Sequence, residues 1–146
     1  MSQSGIGPTN FSVIPEGTQP VFLTNPPTTQ ASNLEVRNAG ETISALKCVY
    51  SFDSNTVKVA SSSNTVVQAR AFGIAITAAN TNESMQLQTY GVLRDSSFVF
   101  PTGDLLFVSA LGAITNITPA TGFRTVIGTS QSTGSIFINI QETITL

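Results

Sequence analysis

The sequence predicts an all-β protein: a small β-barrel or sandwich of two pseudo-repeated antiparallel halves, preceded by an extended N-terminal arm. Three observations predict it. Apolar residues recur in short runs rich in Val, Ile, Thr and Phe, some with strict period-two alternation. Turns rich in Asn, Gly and Ser separate these runs at roughly the eight-to-twelve-residue spacing of sandwiches and barrels. Five of the seven prolines, Pro8, Pro15, Pro20, Pro26 and Pro27, crowd the start of the chain. Proline fixes φ and removes an N–H donor, so that stretch fits neither a helix interior nor a central strand. The length, 146 residues, supports one domain with a core of its own.

Residues 1–32 are read as the arm and residues 33–146 as the β domain. The arm is not uniformly polar: Phe11, Val13, Ile14, Val21, Phe22 and Leu23 punctuate it. A Gly/Pro-rich segment is ordered only when something holds it, either the chain's own domain or a neighbouring subunit; the favoured reading makes these six residues the candidate anchors on a neighbouring subunit. Within the domain, Leu34–Val36 alternates and Leu46–Tyr50 is a short apolar strand. Thr56–Val59 and Thr65–Val67 follow as strands, with Ala60–Asn64 between them as a loop by composition. Phe72–Ile76 reads as a buried strand whose Gly73 lets another backbone approach closely. Met85–Tyr90 alternates hydrophobic-in, polar-out. Leu105–Val108, Phe123–Ile127 and Ile136–Ile140 complete the set. The one helix candidate is a single turn at Thr77–Asn82.

An internal duplication is visible. The first half runs Gly40-Glu-Thr-Ile-Ser, Cys48–Ser51, Phe72-Gly-Ile and Ser84–Gln88. The second runs Gly103-Asp, Leu106–Ser109, Val126-Ile-Gly128 and Ser135–Asn139. The order of elements matches, so the halves are expected to pack as pseudo-symmetric sheets.

Composition narrows the function. There is no His and a single Cys. Imidazole-dependent triads therefore lack their base, and the usual zinc sites lack their ligands. No metal or cofactor is implied, and the chain reads as a non-enzyme. The eight acids, Glu16, Glu35, Glu41, Asp53, Glu83, Asp95, Asp104 and Glu142, mostly sit beside turn residues and read as solvated turn carboxylates. Cys48, in an apolar strand, reads as buried and inert. Six basic residues, scattered singly, cannot neutralise a run of phosphates, which argues against nucleic acid. No apolar run approaches the ~20 residues of a membrane span, and the start lacks the basic and apolar regions of a signal peptide. The expected site of synthesis is the cytoplasm of the producing cell, without membrane association.

What remains is surface chemistry. Charged residues make up 10% of the chain at a net charge of −2, and roughly a third of the chain is Ser, Thr or Asn. Short hydrogen-bonding side chains lose little rotamer entropy when immobilised, and little net charge keeps copies apart. Both properties suit a component of a large assembly.

At this point an ordered set of short motifs resembles a known group of proteins. It runs Leu34–Gly40 with Thr42-Ile43, Val49–Ser51, Phe72–Ala75 and Thr89–Val92. It continues through Gly103–Ala110, Gly112–Thr115, Thr118-Pro119, Ile127-Gly128 and Ser135–Ile138. This set, over about residues 34–146, resembles small β domains of tailed-bacteriophage structural proteins, namely head decoration (cement) proteins and repeat domains of tail fibres. The resemblance implies a non-enzymatic virion protein on the outer capsid surface, bridging and stabilising subunits of the major capsid protein as a homotrimer. The arm would then be the clamp. The alternative it implies is a tail fibre, baseplate or receptor-binding module recognising a host glycan. Its binding loops would be Ser61–Asn64, Asn80–Asn82 and Ser130–Gly134.

Overall fold

The computed structural model describes residues 33–146. The arm, with Phe11, Val13, Ile14, Val21, Phe22 and Leu23, lies outside the described residues. In chain order the elements are β1 (Asn33–Ala39), β2 (Cys48–Ser51), β3 (Thr56–Val59), α1 (Val66–Ala69), β4 (Ala71–Ala75) and β5 (Ser84–Arg94). There follow β6 (Leu105–Val108), β7 (Ile114–Thr115), β8 (Phe123–Arg124), β9 (Val126–Ser132), β10 (Ser135–Asn139) and β11 (Ile144–Thr145).

The first half closes into a five-stranded barrel. Its ring runs β1-β3-β2-β4-β5, and β5 pairs back onto β1. Every pairing in the ring is antiparallel except β1 with β3, which run parallel. Closure leaves the ring no free sheet edge. Alternation sorts the side chains: Val49, Val57, Ala75, Met85 and Leu87 form one buried cluster with Ile43 and Ala79, the barrel interior.

β5 is long enough to serve two structures. Its first part, near Leu87 and Gln88, pairs with β4; its second part, Tyr90–Arg94, pairs with β10. Tyr90 has Asn33 as one cross-strand partner and Asn139 as the other. A strand residue has one partner on each edge, so β10 continues on the edge that β4 occupies lower down. From β10 the sheet runs on through β9, β6 and β7. A second buried cluster joins Cys48, Tyr50 and Ile74 of the barrel wall to Leu93, Leu106, Val108, Ile136 and Ile138 of this extension.

Without β1, the strand order reads β3-β2-β4-β5 and then β10-β9-β6-β7, a palindrome of the duplicated halves. Each half also carries a register slip beside a glycine, one residue out of step with the sequence alignment. Val49 lies opposite Gly73, and the register then slips so that Tyr50 meets Ala71. Leu106 lies opposite Gly128, and the same slip brings Phe107 against Val126. Each half thus carries a bulge beside a glycine, with no second β1 to close a second barrel among the described residues.

Three local expectations need correction. Thr65–Val67, expected as a strand, instead opens a helical turn at Val66–Ala69, and no helix forms at Thr77–Asn82. Thr65 initiates the observed turn, since its hydroxyl accepts the Gln68 N–H at 3.2 Å as an N-cap. Over residues 77–82 the chain instead forms an isolated bridge, Ile43 with Ala79, and turns at Asn82, whose φ is 71°. The strand expected over Phe123–Ile127 breaks at Thr125. That buried hydroxyl donates to the Ala69 carbonyl at 2.6 Å and shares a 2.7 Å bond with Thr143. β8 therefore peels away to pair with β11.

Candidate interaction surface

The titratable side chains are dispersed. Among the described residues, no three His, Cys, Asp or Glu lie together. Glu35 pairs with Arg37 at 3.1 Å. Glu41 accepts the Val59 N–H at 2.9 Å, and Glu83 accepts that of Asn80 at 2.8 Å. Asp104 accepts from the Asn116 amide at 3.0 Å. Asp53 and Asp95 each cap a turn. The Asn55 N–H, foremost, holds the Asp53 carboxyl below its ordinary range; the Ser97 hydroxyl and N–H do the same for Asp95. Each of these six carboxylates thus has a backbone or side-chain donor of its own. Cys48 is fully buried, and desolvation pushes its thiol up to about 12 despite neighbouring Lys47. A thiol so protonated is a poor nucleophile.

The informative feature is the outer face of the second sheet. Directly paired residues in an antiparallel sheet point to the same side. Val92 pairs with Phe137, Phe137 with Thr129, and Thr129 with Leu105. The four form a straight cross-strand row over β5, β10, β9 and β6. Their neighbours Leu93, Ile136 and Leu106 point the other way, into the core. Tyr90 joins the row, its ring edge-on to Phe137 at 5.2 Å between centroids. Leu105 is 50% exposed and Tyr90 44%, while Val92, Phe137 and Thr129 are half-buried. An antiparallel sheet with one face on the core normally turns a polar face to water; this one presents a row that, Thr129 apart, is apolar or aromatic. Further exposed apolar groups lie on β1, where Leu34 and Val36 stand opposite Gln88 and Gln86.

This row was not among the expected site residues, all six of which are in the arm. The signal was present in Ser135-Ile-Phe-Ile-Asn139: if Ile136 and Ile138 face inward, Phe137 must face out. The three loops expected to bind a glycan do not share a cavity. Ser61 and Asn64 line a groove beside β2 and β3, and Asn80 lines a separate hollow with Thr42 and Glu83. Ser130 is buried, its hydroxyl donating to the Phe100 carbonyl at 3.1 Å.

No family model matches the chain, and no curated protein matches it. Among solved structures it is similar to the N-terminal base of the head fiber gp8.5 of bacteriophage phi29. That likeness spans 76% of this chain and 95% of the other, at 14% identity and a TM-score of 0.43.

Proposed function

We propose that this chain is a virion structural protein of a tailed bacteriophage, a capsid decoration (cement) protein that binds the outer surface of the head. The observation that carries this reading is the half-exposed apolar row Val92–Phe137–Thr129–Leu105 with Tyr90, on a domain whose ionisable groups are dispersed. Apolar patches of this kind mark protein contacts. The weakly charged, Ser/Thr/Asn-rich composition and the ordered motifs that resemble phage head and fibre domains support it. In this reading the barrel supplies a rigid body, the row meets another protein, and the arm anchors Phe11, Val13, Ile14, Val21, Phe22 and Leu23 grip adjoining subunits of the major capsid protein. Homotrimers would multiply modest single-site contacts through simultaneous engagement, against the outward pressure of packaged DNA.

The test is binding to empty expanded capsids, scored by co-sedimentation and by locating the chain on particles with electron microscopy. Full-length protein is expected on the shell. A chain lacking residues 1–32 is expected to remain folded and to lose attachment. Normal coating by the shortened chain would overturn the anchor role, and density on the tail would favour a fibre or baseplate component.

A further inference from the structure

The apolar row lies where the chain enters its first strand. β1 begins at Asn33, whose cross-strand partner is Tyr90 of the row. Since β1 runs antiparallel to β5, the chain before Asn33 departs along the second part of β5, past Val92 toward Arg94. There Gly91–Arg94 have β10 on one edge and, among the described residues, no strand on the other.

The chain before that point suits the row in chemistry and in length. Residues 17–32 include no charged residue, and neither does the row of Val92, Phe137, Thr129, Leu105 and Tyr90. Contact between them therefore strips no charge of its water. Val21, Phe22 and Leu23 are consecutive, with Pro20 before them and Pro26-Pro27 after. Prolines so placed keep the trio out of a central strand, so it suits a segment lying across a sheet face. Nine residues, 24–32, separate Leu23 from Asn33, a reach of about 30 Å at roughly 3.3 Å per residue. From β5 through β10 and β9 to β6 the row crosses three strand spacings, about 14 Å at roughly 4.8 Å each. The trio can thus meet any residue of its own row. A short tether holds it there at an effective concentration in the millimolar range, so a chain's own arm outcompetes that of another copy in dilute solution.

We propose that in the unattached protein Val21–Leu23 lies as a strap across the outer row of its own domain. The inference rests on the reading of the row as a protein-contact surface and names what covers it before the shell does; attachment exchanges the strap for the capsid and turns the anchors outward. The test places a nitroxide on Thr24→Cys in the full chain, where Cys48, fully buried, stays unlabelled. Paramagnetic broadening of amide NMR signals is read at micromolar concentration. Val92, Thr129 and Phe137 are expected to broaden. A mixture of labelled chain with isotope-enriched, unlabelled chain is expected to show no broadening at those positions. Phe22→Asp, ahead of the domain, and Leu105→Asp, at an exposed position, are each expected to reduce the broadening about fivefold or more, because each puts a charge into an apolar contact. No broadening at the row, broadening centred elsewhere, equal broadening in the mixture, or unchanged broadening in both variants would overturn the proposal. Binding to empty capsids is scored apart, and its absence beside an intact strap would overturn the capsid reading alone.

Discussion

Gly128 and Gly73 each stand beside a bulge, yet they tolerate different crowding. A Cβ on Gly128 would come within 1.9 Å of the Phe137 carbonyl oxygen, so the β9–β10 pairing would have to move. A Cβ on Gly73 would stand 3.1 Å from the Gln88 carbonyl oxygen, a tighter contact than usual but one a small shift relieves. Gly128→Ala is therefore expected to destabilise by about 3 kcal/mol and Gly73→Ala by about 1 kcal/mol or less, read from urea midpoints. Asp95 yields a pH expectation at the same scale. Hydrogen bonds from Ser97 favour its charged form, so its folded pKa lies below the unfolded value. Its contribution is complete above roughly pH 4, the ordinary carboxylate range, and disappears as pH falls through the folded value. Asp95→Asn should flatten that part of the acid-unfolding curve. An unchanged curve would show that the turn contributes nothing at low pH.

Among the elements, the junction of α1, β8 and β9 shows how a single hydroxyl redirects a strand. Phe123-Arg-Thr-Val-Ile127 has the composition of one continuous strand, and periodicity cannot see that Thr125 is needed elsewhere. In the fold its hydroxyl satisfies the Ala69 carbonyl at the end of α1 and meets Thr143. Thr125→Val keeps the shape and removes the donor, and a buried carbonyl loses its good partner. The expected cost is about 1–3 kcal/mol, measured by thermal unfolding. Loss of the β8–β11 pairing should accompany it, as faster amide exchange at Arg124 and Thr145. A fully wild-type exchange pattern would mean that backbone pairing alone holds β8 in place.

At the scale of the molecule, duplication builds two sheets from one plan, and β1 makes them different. The first half is closed by β1 into a barrel; the second remains an open extension whose inner face packs on the barrel wall and whose outer face carries the apolar row. The row spans that extension and the second part of β5, the strand the two structures share. Leu105→Asp places a charge at the β6 end of the row, at a half-exposed position. It is expected to leave the melting temperature within about 2 °C, since exposed substitutions usually change stability by less than about 0.5 kcal/mol. The same change should weaken capsid attachment at least tenfold. Retained attachment would remove the row from the interface.

The all-β class, most strand positions and the duplicated order were legible in the chain because side-chain alternation and turn residues act over a few positions. So was the burial of Cys48, which its apolar neighbours Val49 and Tyr50 foretell. Barrel closure was not legible, since it depends on β1 reaching both β3 and β5, and periodicity carries no information about which strands meet. The helical turn at Val66–Ala69 was missed because β-branched Val66 and Val67 favour a strand until the Thr65 cap and the burial of Ala69 outweigh them. The apolar row likewise required folding: Val92, Phe137, Thr129 and Leu105 are distant in the chain, and register alone sets them side by side. Local pattern speaks for the faces of single strands, whereas a surface made of several strands exists only once long-range pairing has chosen their neighbours.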